Sequence, residues 1–539
     1  MKKYIYILVA LVVAGFAASC ESNLDIPQKR VIDFSTFYEN ANEENAKELI
    51  GGVYRLLYDQ VYNPEPSVML DALSDDCWAG GGSFMDNSHG LQHVQAYKLT
   101  SSNCDCLDKI YENCYKVIYY SNCIIEKIPE TSDAEINRIK AEAKFLRALA
   151  TFRLIRFFGT PPFVDHIPSS DEYYPSNGDT KTMIDWCISN MKEAAEVVPA
   201  LSGIGTQKQY GGRISKHGAL AYAGKVGLWY GTRYNDPSYV AAAVEPLKTV
   251  VNSGLYGLVD DMSILFRKQA DFCKEYVFEH EAADNDGYLG SYQSDNRNAW
   301  YTWANMWLPK GSEVEGWGWD HPTASFAKWF EQHEGGIEQP RFKAFIRTYD
   351  QVMAMEYTGE RGVKSGASLA YHEGYFRMLE MHYEDAVYQT SGFWKMSMYN
   401  LPYLRYSEVL LMYAEAQFLA NGDSDGTGLK ALNQVRKRAQ IPELTTMTYQ
   451  DIKDERRAEL WGQRERFFDL QRWGDAPTAL KDKAKTSPAF KGYKEGTTEW
   501  DIDYSAPVNG QGWQDKYMLL PFPYKQIAAN PNLKQNPGW

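Results

Sequence analysis

The sequence predicts a mainly α fold: an irregular, tetratricopeptide-like scaffold of helical hairpins that carries one loop-rich excursion. Three observations predict it. Apolar residues recur at helical spacing, with caps and stops, over most of residues 41–280. Helical hairpins of similar size return after residue 400, so neighbouring units can stack on a shared core. Between 281 and 400 the periodicity fades, and Gly, Asn, Asp, Trp and Tyr take over. A hydrophobic fraction of 44% in 539 residues is ample for a large core.

The first 40 residues precede that scaffold. Lys2 and Lys3, the apolar run from Ile5 to Phe16, and the small Ala17, Ala18 and Ser19 form a secretory signal over residues 1–19. It is too short to span a bilayer stably. The small-small-Cys step after the apolar run resembles a lipobox, with Ala17 where Leu is commoner. Cys20 is then the expected lipidation site and first mature residue, followed by a tether over residues 20–40. Several acyl chains on one residue anchor stably, whereas one holds only marginally. A plain signal peptide with an incidental Cys20 is the competing reading.

Within 41–280, ETSDAEINRIKAEAKFLRALATFRLIRFFGTPP is the clearest helix. Ser132 followed by Glu135 predicts a capping box. Phe145, Leu149 and Phe152 form one apolar row and Leu146, Ala150 and Leu154 another, so two faces should be buried; Gly159 and Pro161-Pro162 stop the helix. RISKHGALAYAGKVGLWYGTRY, from Arg213, predicts a helix whose small residues let another helix pack close. A further helix is expected near residues 238–253. After the excursion, helices are predicted for LPYLRYSEVLLMYAEAQFLANG (401–422), GLKALNQVRKRAQ and DERRAELWGQRERFFDLQRWGD. The last alternates charge at helical spacing, as a helix laced by ion pairs does, with Leu460, Trp461, Phe467 and Trp473 facing inward. Residues 401–539 should pack with 41–280 as one domain.

A formal charge of −14 disfavours nucleic acid, because phosphate binding needs clustered Lys and Arg. No second apolar run approaches ~18 residues, so the lipid is the only membrane attachment expected. Seven cysteines remain besides Cys20: Cys77, Cys104, Cys106, Cys114, Cys123, Cys187 and Cys273. Export permits disulfides, but an odd number leaves at least one thiol unpaired. Cys104-Asp105-Cys106 lacks zinc-knuckle spacing and has no following His partners, so buried structural cysteines are expected, with no metal and no cofactor.

Catalytic motifs are few. Ser325 and Lys328 match S-x-x-K and Ser294-Asp295-Asn296 matches S-D-N, but their order is reversed relative to penicillin-binding active sites and K-T-G is absent. His280, His333 and His372 each precede Glu without a second His four residues on, so the zinc-peptidase helix is missing. Asn421, Asp423, Asp425 and Gly426 begin like a calcium loop, but its twelfth position is Leu432, and a polar turn is the favoured reading. Nothing singles out a carboxylate pair for glycoside hydrolysis.

The helices together carry a pattern. AEAKFLRALATFRLIRFFGTPPFV (141–164), GRISKHGALAYAGKVGLWYGT (212–232), LRYSEVLLMYAEAQ (404–417), LNQVRKRAQ (432–440), ERRAELWGQRERFFDLQRWG (455–474) and LLPFPYKQIAANPNLKQNPGW (519–539) occur in the order of the SusD/RagB family of outer-membrane nutrient-binding lipoproteins, which the chain resembles over essentially its whole mature length. The resemblance implies a tetratricopeptide-like scaffold with a loop-rich face, and a SusC-like TonB-dependent barrel as partner. It implies a lipid-anchored place at the outer membrane facing the exterior, oligosaccharide or, in some members, peptide as cargo, and no catalysis. Its motifs are scaffold features and transfer no binding residue.

Physical reasoning therefore nominates the site. Aromatic rings stack on the C–H faces of sugars, while amide and charged side chains bond the hydroxyls. Trp300, Tyr301, Trp303 and Trp307 cluster in the excursion beside Asn296, with Tyr292 close by. Trp78, in the Gly-rich DDCWAGGGSF, could be brought to the same face. Trp317 and Trp319, in GWGWDHPT, read as packing residues. The competing reading for any one Trp is the core. A glycan-capture protein is the leading reading, a peptide-binding one the second, and a surface glycoside hydrolase the third.

Overall fold

A computed structural model of the chain describes residues 38, 41–61, 64–81, 90–281, 302–303, 318–354, 369–379, 386–388, 395–397, 399–483, 487–506 and 512–539. The first half is built from α1 (Glu43–Val61), α2 (Pro64–Ala72), a short strand β1 (Cys77–Gly80), α3 (Leu91–Gln95), α4 (Asp105–Lys127), α5 (Ala134–Phe158), α6 (Thr180–Val197), α7 (Lys216–Arg233) and α8 (Pro237–Val251). From α4 onward each helix packs on the next, and α1 lies against α4 and α5. This stack of sequential neighbours is the arrangement expected of a helical-hairpin array.

The long α5 sits between α4 and α6 and is buried along both predicted rows. Its cap differs from the expected one. Asp133, not Ser132, accepts the backbone N–H groups of Glu135 and Ile136. Glu135 is drawn away to Arg213, at 2.5 Å, so it cannot complete a capping box. Gly159, at φ 74°, ends the helix where a Cβ would meet the Leu519 side chain at 2.8 Å. The small residues of α7 act as predicted: a Cβ on Gly224 would stand 2.5 Å from Leu247, and one on Gly231 would stand 2.8 Å from the backbone N of Val240, both on α8.

The chain leaves the array through β2 (Tyr276–His280). The excursion contains β3 (Thr302–Trp303), β4 (Trp319–Pro322), α9 (Ala324–Glu334), α10 (Pro340–Phe345), β5 (Ile346–Thr348), α11 (Tyr349–Ala354), β6 (Leu369–Ala370), β7 (Tyr375–Arg377), β8 (Ala386–Tyr388) and β9 (Lys395–Ser397). It returns through β10 (Leu401–Arg405), which pairs antiparallel with β2 and closes the excursion like a stem. Residues 401–405 are thus a strand and not the start of a helix; Pro402 lacks the N–H that a helix interior needs. Then α12 (Tyr406–Asn421) docks on α8, resuming the array where the chain left it. It is followed by α13 (Thr427–Arg438), α14 (Tyr449–Glu459), α15 (Arg466–Trp473), α16 (Ala476–Ala479), a hairpin of β11 (Ser487–Tyr493) and β12 (Trp500–Ala506), and α17 (Tyr524–Ala529). The polar turn before α13 is local: Asp423 accepts the N–H groups of Gly428 and Leu429.

The charged segment after residue 454 is two helices, α14 and α15, broken at Gly462. There the Arg377 guanidinium donates to the Gly462 carbonyl at 2.9 Å and leaves a Cβ only 2.5 Å of room. Trp461, at the break, stacks on Phe326 with ring centroids 5.4 Å apart. Its charges pair with remote elements more than along the helix. Glu459 is reached by Arg341 at 3.1 Å, by Arg405 at 2.9 Å and by Arg438. Glu415 of α12 takes Arg472 at 2.7 Å. Burial pushes the Glu459 carboxyl up, but the guanidiniums of Arg438, Arg405 and Arg341 outweigh it and hold the group at about 2. Leu460, Trp461 and Phe467 are buried as expected, and Trp473 is half-buried with its N–H on Glu415.

Of the seven cysteines after Cys20, six are buried and Cys273 is half-buried. The C-terminal tail is scaffold: Asn536 donates to the carbonyls of Phe158 and Leu520, and the Trp539 indole to Leu519.

Candidate functional site

The strand pair β1–β4 organises the face that the sequence points to. Asp75 and Asp76, just before β1, are gripped by Arg457 of α14 and Arg466 of α15, with Arg466 Nε on Asp75 at 2.8 Å. The pair runs antiparallel with Cys77 opposite Pro322, Trp78 opposite His321 and Gly80 opposite Trp319. Its last rung demands glycine. Gly80 has φ 80°, and a Cβ there would lie 1.9 Å from the Gly318 carbonyl oxygen. Gly81 donates its N–H to that oxygen at 3.3 Å. Gly81 and Gly318, the last and first described residues on either side of this rung, therefore lie side by side.

Trp78 does not face outward there. It is only 7% exposed. Its indole N–H donates to Glu373 Oε2 at 2.9 Å, and the Lys483 ammonium lies 5.2 Å from the ring centre. Lys483 also donates to the Cys77 carbonyl, and burial pulls its pKa below the ordinary lysine range. Trp78 is thus a largely buried ring, held at its N–H and with a cation over its face. The other expected contacts stand differently. Trp303 lies on β3, whose backbone pairs with β9 opposite Met396. Tyr292, Asn296, Trp300, Tyr301 and Trp307 lie outside the described residues, as does Cys20. Trp319 is buried, as a packing residue should be; Trp317 lies outside the described residues.

Three residues at this place escaped the sequence reading: Glu373, Lys483 and Tyr504. Glu373 follows His372 in the turn before β7. Gly374, at φ 82°, presses that turn onto the β11–β12 hairpin, where a Cβ would be 2.8 Å from Phe490 and Trp500. Glu373 is 6% exposed and uses both oxygens: Oε2 takes the Trp78 indole N–H and the Ala324 N–H at 2.7 Å, and Oε1 takes the Tyr504 hydroxyl at 2.7 Å. Tyr504 is 45% exposed. Its signal was present in WDIDYSA, where Trp500, Ile502 and Tyr504 alternate with polar residues as on a half-buried strand.

Of the motifs weighed for catalysis, Ser294-Asp295-Asn296 lies outside the described residues. Ser325 and Lys328 are both exposed on α9. His321 and His372 are buried with centroids 4.5 Å apart, and each uses Nδ1 to accept a backbone N–H, from Arg377 and Gly374. Among the described residues, no group of three or more His, Cys, Asp or Glu is arranged to hold a metal ion, and no helix is long and apolar enough to cross a membrane.

The family model described as the SusD family matches residues 274–539. A second, described as starch-binding associating with outer membrane, matches residues 35–228, so the two leave only residues 1–34 and 229–273 unmatched. The chain belongs to the SusD family. This SusD-family chain is 25% identical over 472 residues to the starch-binding protein SusD of Bacteroides thetaiotaomicron, covering 79% of this chain and 77% of that one. Among solved structures, a laminarin-binding SusD-like protein superposes with a TM-score of 0.68 at 23% identity, covering 93% of this chain and 100% of the other. Surface glycan-binding protein A from Bacteroides thetaiotaomicron, in complex with laminarihexaose, superposes with a TM-score of 0.70 at 19% identity, covering 92% and 99%. These likenesses fix the architecture.

Proposed function

We propose that this SusD-family protein is a cell-surface lipoprotein of the outer membrane, anchored through Cys20, that captures an oligosaccharide and hands it to a SusC-like TonB-dependent transporter without chemistry of its own. The observation that carries the reading is the shared exit at Gly80–Gly81 and Gly318, beside which the most Trp-rich stretch of the chain begins. Membership of a family whose named relatives bind starch, laminarin and laminarihexaose gives the cargo class. Trp300, Tyr301, Trp303, Trp307 and Tyr292 supply rings for the sugar faces, and Asn296 an amide for the hydroxyls.

The test is affinity electrophoresis of the soluble form, starting at Glu21, in gels containing starch, laminarin or other neutral, acidic and host-type glycans, with the glycan checked for cleavage. Retardation by one glycan with no product is the expected result, weakened by Trp300→Ala or Trp303→Ala. Cleavage would replace this reading with a hydrolase. Migration unchanged in every gel, with a peptide library retained, would replace it with peptide capture.

A further inference from the structure

The buried Trp78 and the exposed Tyr504 are held by one carboxylate. We infer that Tyr504 is a ligand-stacking ring of this protein, that Glu373 fixes it, and that Trp78 is the positioning residue behind Glu373; the ligand is the apolar face of a sugar ring, so the inference rests on the glycan reading above.

The argument starts from what an exposed tyrosine ordinarily does. A side chain nearly half in water samples several rotamers, and ordering it on binding opposes affinity. Tyr504 is different because its hydroxyl is tied at 2.7 Å to a carboxylate that is itself 6% exposed. That carboxylate cannot move to follow the ring. Its other oxygen is fixed by the Trp78 indole and by the backbone N–H of Ala324 at the start of α9. The turn carrying it is wedged against Phe490 and Trp500 by Gly374. Trp500 and Ile502, on the same face of β12 as Tyr504, are seated against the small core of Tyr349, Val352, Phe376 and Phe490. The ring therefore has an anchored root and an anchored tip, with part of its surface in solvent. Burial raises the Tyr504 hydroxyl above the ordinary tyrosine range, and the bond to Glu373 raises it further, so the phenol stays a donor at every physiological pH.

The position matters as much as the rigidity. Glu373 joins Tyr504 directly to Trp78, two residues before the Gly80–Gly318 exit of the Gly-rich and Trp-rich segments. The chemistry of Tyr504 suits a neutral sugar. Its hydroxyl bonds to Glu373, whose oxygens also take the Trp78 and Ala324 donors, so the exposed part of Tyr504 that a ligand meets is the neutral ring.

A merely structural role for Tyr504 predicts different behaviour, and four variants separate the two. Affinity for laminarihexaose, and for whichever panel glycan retards the native chain, is measured for Tyr504→Ala, Tyr504→Phe, Trp78→Phe and the double variant Trp78→Phe/Tyr504→Ala, with thermal midpoints taken alongside. A stacking ring predicts about a tenfold loss for Tyr504→Ala, the size of one favourable aromatic contact. Tyr504→Phe keeps the ring and should stay within about threefold of the native affinity, because it loses only the tether. Trp78→Phe should weaken binding by no more than Tyr504→Phe does, up to about threefold, when Tyr504 is present and not at all in the Tyr504→Ala background, a dependence that a change in overall stability would not produce. Native-like affinity of Tyr504→Ala, in a chain that binds glycan, overturns this inference and leaves the glycan reading standing. Equal effects of Trp78→Phe in both backgrounds overturn the positioning role. A native chain that binds no glycan overturns both.

Discussion

Glu459 concentrates the energetics of the C-terminal region in one side chain. Arg341, Arg405 and Arg438 converge on it, all of them buried or nearly so, and Arg341 and Arg405 are shared with Glu455 and Glu275. Removing Glu459 from this cluster leaves three low-exposure cations to share Glu275, Glu334 and Glu455 in a low-dielectric interior. Glu459→Gln should therefore lower stability by about 3–5 kcal/mol, read as a shift of the urea midpoint at constant slope. The exposed pair Lys47–Glu43 in α1 is the internal control: both side chains are about half exposed, and Lys47→Ala should leave the midpoint unmoved. The alternating signs in DERRAELWGQRERFFDLQRWGD signal ionic pairing, but they do not say with whom. Arg341, Arg405 and Glu275 come from segments 54 to 184 positions away in the chain, so no local rule finds them. Trp78 shows the same limit: its chemistry was legible, its burial was not, because burial was decided by Glu373 and Lys483.

At the scale of elements, the helices were the readable part. A 3.6-residue period over twenty positions is a local signal, and α5, α7, α8, α12 and α13 carry it. Short strands such as β10 were not readable, since β10 is five residues long and its partner β2 lies more than a hundred residues earlier. The small-residue stripe of α7 makes the helix-level argument testable by sign. Alanine favours a helix over glycine by about 1 kcal/mol. In α1, a Cβ on Gly51 meets nothing within 4 Å, so Gly51→Ala should stabilise by about 0.5–1 kcal/mol. In α7, a Cβ on Gly231 would lie 2.7 Å from the Val240 side chain and 2.8 Å from its backbone N. That neighbour includes backbone and cannot swing away. Gly231→Ala should destabilise by about 1–3 kcal/mol despite its better propensity. Thermal melts of the two variants should move in opposite directions; a Gly231→Ala chain as stable as the native one would mean that α8 can slide off α7 freely.

The whole molecule joins a helical array to a strand-rich excursion, and the two meet acid differently. His372, beside Phe376 and Phe490, and His321 on β4 touch each other where the excursion meets the C-terminal hairpin. Each accepts a backbone N–H at Nδ1, so a proton there would set N–H against N–H. Burial lowers His372 to about 3, and burial, His372 and Arg377 hold His321 far below the usual histidine range. The unfolded chain binds these protons near pH 6.5. Above that pH neither state is protonated and stability is complete; below it only the unfolded state gains protons, and stability falls until the folded pKa is passed. For His372 the loss between pH 8 and pH 5 is about 2 kcal/mol. The total pH curve does not isolate it, since Glu279, pushed up to about 8 by burial, contributes with the opposite sign. The array's carboxylates enter later: Glu415, Glu455 and Glu459 are all held at about 2, and their pairs survive until the pH drops below the ordinary carboxylate range. The discriminating quantity is therefore the stability difference between the native chain and His372→Asn, whose amide oxygen can still accept the Gly374 N–H but whose side chain does not titrate. That difference should shift by about 2 kcal/mol in favour of the variant between pH 8 and pH 5, with amide exchange at pH 5 quickening first in β4–β7 and the β11–β12 hairpin while α4–α8 stay protected. A difference that is flat across that range would mean that His372 takes its proton without opening the excursion.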